Sequence, residues 1–250
     1  TIAAYQNYDF VPGKNIIFAD DCTSTQDGEF PDQWALGKGQ AVVNKQQGFE
    51  TFTLTDGNYV KVIPRVKGKD YLGPQFTVKY DTFFESGSYG LQVFFENGDN
   101  ESSATVTDSD VSFEGIRGSM PAALSDKNFA DRWHHIAIAV KNGQMKIYVD
   151  QYRVLTNPSM KIVPQSLEFG GLASQEHPLI FTNLRVASGA GMNLIGQKFT
   201  DAKIVTHGIN FDVDKATLRP ESMGTLNQIK RVMTDNHDLK FEIGGYTDST

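Results

Sequence analysis

The sequence predicts a mainly β chain in which an antiparallel two-sheet sandwich is followed by a short strand, helix, strand unit. Two observations indicate the sandwich. Between residues 15 and 187, segment after segment alternates apolar and polar residues, and short turn signals separate these segments. The third observation is a change beyond residue 203, where apolar residues recur every three to four positions. Many strands joined by tight turns are typical of sandwiches.

Turn dipeptides place the strands of the sandwich. Asn142-Gly143 lies between two alternating runs, which predicts a hairpin over Ile136 to Val149. By the same reasoning Asp56-Gly57 predicts a second hairpin, and Asn97-Gly98 predicts a turn. Three further stretches have the alternation of strands: Tyr89 to Phe95, Phe76 to Tyr80, and Leu184 to Val186.

The C-terminal unit is predicted as two strands joined by one helix. Ile204 to Phe211 alternates as a half-buried strand, and Leu239 to Gly245 forms the second strand. Pro220 and Glu221 favour a helix start and Asn236 favours its end. The helical spacing places Met223, Leu226 and Met233 on the buried side, and Asn227 and Lys230 in solvent.

The segment GINFDVDKATLRPESMGTLNQIKRVMTDNHDLKFEIGGYTDST resembles the start of the OmpA-like domain, which holds outer-membrane proteins to peptidoglycan in Gram-negative bacteria. The resemblance implies that Asp248 accepts the ammonium of diaminopimelate in the stem peptide. Phe211 and Asp212 match the strand end that borders the pocket. A carboxylate and a guanidinium together suit an amino-acid head group.

Two departures from that family pattern concern the same pocket. Tyr246 stands where the family has histidine, and the partner arginine has no counterpart before Thr250. We therefore expect residues 204–250 to be an incomplete domain that binds poorly. Without the upstream motif, Asp248 would be interpreted as a turn former or a helix cap.

Residues Trp133-His134-His135-Ile136, with Tyr148-Val149-Asp150, resemble a hairpin of laminin-G and concanavalin-like sandwiches, also called jelly rolls. The N-terminal region, from YQNYDFVPGK to Trp34, is similar to that of Bacteroidetes-type OmpA-family proteins, which pair such a sandwich with the OmpA-like domain. His134 and His135 are adjacent in a strand, so they should point to opposite faces and cannot share a metal ion.

The composition excludes some classes of binding partner. A net charge of -7 and a pI of about 5.2 argue against nucleic acid and against anionic membranes. A single cysteine, Cys22, excludes an intrachain disulfide. The sequence has no apolar run of the ~20 residues that a membrane helix needs and no leader. The OmpA resemblance implies an exported protein, so we expect its signal peptide to have been removed from this sequence.

Few residues of the sandwich are candidates for binding a metal ion or a sugar, or for catalysis. Asp20 and Asp21 are weak candidates for a structural calcium ion, although calcium takes six or more oxygens. No cofactor is otherwise expected. Four aromatic residues are candidates for a sugar-stacking platform, although most aromatic residues must be core: Trp34, Tyr59, Tyr71 and Tyr89. The sequence has no Glu-x-Asp-x-x-Glu array, which would place glycosidase carboxylates on one strand face, and its absence makes a glycosidase function less favoured.

The predicted organisation is an extension over residues 1–14, a sandwich over 15–187, a linker over 188–203 and the OmpA-like part over 204–250. The favoured function is non-catalytic: an outer-membrane or periplasmic protein that grips the peptidoglycan stem peptide when its C-terminal domain is complete. One alternative is a lectin or glycosidase whose sandwich binds glycans and whose C-terminal part is only an anchor. Another is a structural spacer or adhesion module.

Overall fold

The computed structural model describes residues 8–125, 128–189, 191–192, 209, 217–218 and 222–235, the last segment with only some of its side chains. Within them lie one helix, α1 (Ser222–Asp235), and fifteen strands. The strands are β1 (Phe10–Val11), β2 (Asn15–Asp20), β3 (Trp34–Gln46), β4 (Phe49–Pro64), β5 (Gln75–Phe84), β6 (Gln92–Asn97), β7 (Asn100–Val106), β8 (Asp110–Phe113), β9 (Ile116–Ser119), β10 (Arg132–Lys141), β11 (Gln144–Val149), β12 (Tyr152–Asn157), β13 (Ser166–Ala173), β14 (Leu179–Ser188) and β15 (Gly191–Met192).

The antiparallel strands form two facing sheets that share β4. Sheet one has the order β12-β11-β10-β5-β14-β4, with β2 on β14. Sheet two has the order β4-β13-β6-β7-β8-β9. The first part of β4 pairs with β14 at Phe52 and Leu54, and the second part pairs with β13 from Gly57 to Val62. The predicted mainly β, antiparallel sandwich is therefore confirmed.

The inward side chains of both sheets meet in one hydrophobic core. Phe76 of sheet one lies 6.4 Å from Phe95 of sheet two, and Tyr80 lies 6.4 Å from Phe169, measured between ring centroids. Trp34 is 1% exposed and packs edge-on against Phe18. Burying side chains of this size stabilises the fold by roughly 1.5–3 kcal/mol each.

Of the predicted turns, Asn142-Gly143 and Asn97-Gly98 are confirmed. Lys141 pairs with Gln144, and both intervening residues have positive φ (49° and 76°), as a type I′ turn requires. Asn97 pairs with Asn100, which leaves Gly98 in the loop.

The predicted hairpin at Asp56-Gly57 is wrong, because β4 runs through both residues. Gly57 has φ 135° and Tyr59 has φ 61°, and the strand bends there from sheet one into sheet two. The same alternation continues on both sides of the bend because both halves face the same core. The hairpin turn is Gln47-Gly48, between the paired residues Gln46 and Phe49.

Helix α1 begins and ends within two residues of the predicted helix. Its orientation differs from the prediction: Met233 is 48% exposed, whereas Asn227 is partly buried and donates a hydrogen bond to the Tyr8 carbonyl. Gly224 packs on the backbone of Phe10, where any side chain would collide. Met223 packs against the Tyr8, Phe10 and Tyr148 cluster and Lys230 is exposed, as predicted, so the departure from the apolar spacing concerns Asn227 and Met233. The two predicted flanking strands, 204–211 and 239–245, lie outside the described residues, apart from Ile209.

The segment Tyr8–Gly13 crosses the outer face of sheet one. Tyr8 and Phe10 pack edge-on against Tyr148, with ring centroids 5.0 and 5.6 Å away. The Asp9 carboxylate accepts hydrogen bonds from Lys146, Arg153 and, at 2.6 Å, the Tyr148 hydroxyl. This segment therefore lies between α1 and the sandwich. Among the described residues, no helix is long and apolar enough to cross a bilayer.

Candidate functional site

The three residues that the OmpA resemblance assigns to the diaminopimelate pocket, Phe211, Asp212 and Asp248, lie outside the described residues. Their predicted roles stay predictions. The site described below is built from the sandwich.

The weak calcium candidates Asp20 and Asp21 are both engaged by their own chain. Asp20 is 6% exposed; one carboxylate oxygen accepts the Trp34 indole N–H at 2.6 Å, and the other accepts the Cys22 backbone N–H at 2.9 Å. Asp21 accepts both the hydroxyl and the backbone N–H of Thr23, and the hydroxyl bond lowers the pKa of Asp21. These hydrogen bonds fix the backbone that follows β2. Burial of the adjacent Cys22 raises the pKa of its thiol to about 12.

The adjacent histidines face opposite sides of β10, as predicted. His134 is buried; it stacks on Phe129 and bonds Asp150 at 2.9 Å and the Phe129 carbonyl at 2.7 Å. His135, on the outer face, bonds Asp81 at 2.6 Å. The Trp-His-His motif therefore joins β10 to its neighbouring strands.

Of the four predicted platform aromatics, two belong to the core. Trp34 is fully buried, and the partly buried Tyr71 bonds the backbone of Leu167. Tyr59 and Tyr89 are 48% and 62% exposed. Tyr59 lies in the bend of β4, in a bulge where Asn58 and Tyr59 oppose a single residue of β13.

The outer face of sheet two carries a straight line of residues, one from each strand, that we call the polar row. Cross-strand register places them side by side in the order Lys61, Gly170, Gln92, Thr105, Ser112 and Arg117. Neighbouring strands lie ~4.8 Å apart, so the five steps span about 24 Å. The row thus presents hydrogen-bonding side chains along an extended surface.

One end of the polar row is a groove of about 300 Å³. Its lining is dominated by hydroxyl groups, with one carboxylate and one guanidinium: Ser102, Ser103, Thr105, Ser112, Phe113, Glu114, Gly115 and Arg117. Gln92 donates its amide N–H to the Thr105 hydroxyl at 3.1 Å, while its buried Oε1 has no partner among the described residues. An unpaired acceptor beside hydroxyl groups suits a ligand that brings its own hydroxyls.

Beside the polar row, Lys61 is surrounded by Glu96, Glu101 and Glu168, which we call the carboxylate cluster. Lys61 Nζ contacts Glu101, lies 3.1 Å from Glu168 and 3.7 Å from Glu96, and sits 4.3 Å from the centre of the Phe94 ring. Although burial opposes the shift, the hydrogen bonds to Glu101 and Glu168 raise the pKa of Lys61. Lys61 is therefore a firmly charged ammonium held by acids.

The carboxylates of the cluster titrate differently. Burial, followed by the hydrogen bond with Glu101, raises the pKa of Glu96 to about 7. Burial would also raise the pKa of Glu101, but the bonds to Lys61 and Glu96 outweigh it and lower that pKa. The ligand oxygens of the three acids lie within 4.8 Å of one another, the one such grouping in the described part of the chain. Lys61 fills the space where an ion would be held.

Sequence reasoning missed the polar row because it assigned strands by their inward residues. The outward residues of β6 and β7 are polar, and this pattern could have indicated a polar outer face: Gln92, Glu96, Ser103 and Thr105. Which outward residues become neighbours depends on strand order, which sequence alone did not give.

Comparison with known proteins identifies the architecture. No protein-family model matches the chain, and no curated protein matches it significantly. Among solved structures, it is similar to the receptor-binding domain of botulinum neurotoxin mosaic serotype C/D (10% identity, 70% of this chain and 48% of that chain, TM-score 0.52). The serotype D binding domain gives 10% identity, 70% and 49% coverage, and a TM-score of 0.50.

The carbohydrate binding module CBM66 from Bacillus subtilis is a weaker match, at 14% identity over 66% of this chain and 99% of that chain, with a TM-score of 0.44. This chain spans about half the length of the botulinum domains. At 10% identity, the likeness to the botulinum domains shows a shared fold.

Proposed function

We propose that the sandwich is a glycan-binding module and that the polar row is its binding surface. The observation that carries the proposal is the row itself: the amide, hydroxyl and guanidinium groups from Gln92 to Arg117 are aligned over three strand steps, about 14 Å, on the outer face of sheet two, and Lys61 lies two steps beyond Gln92. Oligosaccharides present hydroxyl groups at regular intervals along an extended chain. Their hydroxyls both donate and accept, which matches side chains of mixed hydrogen-bonding type.

Two further observations support a sugar ligand. Gln92 Oε1 is buried and has no hydrogen-bond partner among the described residues, so a rotation of this side chain towards a ligand would exchange an unpaired acceptor for a paired one. Tyr59, two residues before Lys61 on β4, presents a half-exposed ring, and aromatic rings stack on the apolar faces of sugars. The glycan alternative from the sequence is therefore preferred here to peptidoglycan anchoring.

The acids of the cluster favour binding over hydrolysis. Glycosidases place two carboxyl groups about 5–5.5 Å apart when they retain configuration and about 6.5–9.5 Å apart when they invert it. Here the oxygens of Glu96, Glu101 and Glu168 approach within 4.8 Å, and Lys61 lies among them. Lys61 therefore occupies the space between these carboxylates.

The test is a double variant, Gln92→Ala with Thr105→Ala, titrated with neutral hexasaccharides of glucose and of N-acetylglucosamine by calorimetry. Losing two hydrogen-bonding side chains is expected to weaken binding about tenfold or more. The matched control is Gln144→Ala with Thr156→Ala, an exposed pair on sheet one. Equal affinity of the double variant and the wild type would contradict the proposal.

A second candidate function, anchoring to peptidoglycan, rests on the resemblance of the C-terminal motif to the OmpA-like domain. It implies an exported protein of the outer membrane or periplasm of a Gram-negative bacterium. Protein carrying a complete C-terminal domain should be retained by purified peptidoglycan, and Asp248→Ala should abolish retention. Retention unchanged by Asp248→Ala, with Gln92→Ala as the sandwich control, would count against anchoring.

A further inference from the structure

We propose that the polar row binds neutral glycans in preference to acidic ones. Lys61 is the residue of the row that could bind an anion, and its ammonium is already paired with the carboxylate cluster. This inference rests on the proposed function. Lys61 is the side chain that would ordinarily attract a uronate or a sulfate to such a surface. Its position at the head of the row would give it that role if its ammonium were free.

The ammonium is not free. Its donors are directed at Glu101 and Glu168, Glu96 stands behind them, and the Phe94 ring covers another side. An acidic sugar would have to displace a carboxylate that is already desolvated and well placed. Breaking such a pair leaves a partly buried charge without its partner, which is strongly unfavourable.

Two further cations lie near Lys61 and along the row, and acids lie beside them. Arg117, at the far end of the row, is paired with Asp110 at 2.5 Å. The exposed Lys38 is the register partner of Lys61 on the neighbouring strand β3. Around these cations stand the carboxylates Glu101, Glu168, Asp110 and Glu114, together with Glu96, which is partly protonated near neutral pH. An acidic ligand therefore meets an excess of like charge, whereas a neutral one does not.

The experiment compares hexasaccharides of equal length and different charge. Wild-type protein at low salt should bind a neutral hexamer of N-acetylglucosamine or glucose at least about tenfold more tightly than hexagalacturonate. The double variant Glu101→Gln with Glu168→Gln keeps hydrogen-bond acceptors around Lys61 but removes two negative charges. It should gain about tenfold in affinity for hexagalacturonate and keep its affinity for the neutral hexamer within about twofold.

A control variant makes the same change in net charge elsewhere. Glu50 pairs with Lys45 at 3.8 Å beside the β3-β4 turn, and Glu29 is exposed. Glu29→Gln with Glu50→Gln should leave both affinities unchanged. Added salt should narrow the preference of the wild type, because screening weakens the repulsion. Thermal unfolding of each variant verifies that the fold is retained.

The outcomes separate the two proposals. If the wild type binds hexagalacturonate as tightly as the neutral hexamers, or if the Glu101/Glu168 variant gains nothing, charge selection is overturned and glycan binding stands. If the wild type binds none of the hexamers, the proposed function fails, and charge selection fails with it.

Discussion

At the scale of single residues, Glu114 connects the two ends of the sandwich. It lies in the β8-β9 turn, and its carboxylate accepts the backbone N–H groups of Lys161 and Ile162, at 2.8–3.1 Å, and the Asn157 amide at 3.3 Å. These partners belong to β12 and the segment that follows it, so one carboxylate joins the last strand of sheet two to the edge of sheet one.

Glu114→Ala is expected to lower the free energy of unfolding by about 2–4 kcal/mol, because hydrogen bonds to a charged group contribute about 1.5–3 kcal/mol and the N–H donors lose their acceptor. Urea denaturation gives the value. Glu50→Ala, which removes an exposed ion pair, should cost less than about 1 kcal/mol. Similar losses for both variants would show that Glu114 is only a surface residue.

Glu96 predicts a pH dependence with a definite sign. Its pKa in the folded protein, about 7, lies above its ordinary value of 4.5, so the folded state holds this proton more tightly. Its contribution to stability is present below about pH 4.5 and is lost as the pH rises through about 7. Glu96→Gln should therefore flatten the fall in stability between about pH 5 and pH 8, by on the order of 1 kcal/mol after solvent screening. A slope identical to that of the wild type would contradict this.

At the scale of elements, the sequence predicted strands well and connections unevenly. Asn142-Gly143 was decisive because positive φ at two successive residues suits that pair best. Gln47-Gly48 has the same geometry without the same signature, and Asp56-Gly57 has the signature but marks a bend. The polar row was not predictable, because its members come from six strands whose order follows from long-range packing.

The same comparison predicts a stabilising substitution. Gln47 has φ 49° in the first central position of its turn, where asparagine is better tolerated than glutamine. Gln47→Asn should raise the free energy of unfolding by a few tenths to about 1 kcal/mol. Asn142→Gln, the converse change in the equivalent turn, should lower it by a similar amount. A loss of stability in Gln47→Asn, or a gain in Asn142→Gln, measured by urea denaturation, would refute the assignment of the two turns.

At the scale of the whole molecule, α1 meets the sandwich through the N-terminal segment. Asn227 bonds the Tyr8 carbonyl, Gly224 lies on Phe10, and Asp9 fastens the segment to sheet one. Tyr148 is committed to this contact: burial, followed by the charge of Asp9, raises the pKa of its hydroxyl strongly. The order of α1 should therefore depend on a residue that is far from it in sequence.

Hydrogen exchange tests this dependence. Amides of α1 are expected to exchange faster than those of the β10-β11 hairpin in the wild type, because the hairpin lies in the main core and α1 rests on a short segment. Asp9→Ala removes the acceptor for Lys146, Arg153 and Tyr148, which should speed exchange in α1 further and leave the hairpin unchanged. Asp27→Ala, an exposed acid on the β2-β3 loop, is the control. If Asp9→Ala left exchange in α1 unaltered, the N-terminal segment would not be what holds the helix on the sandwich.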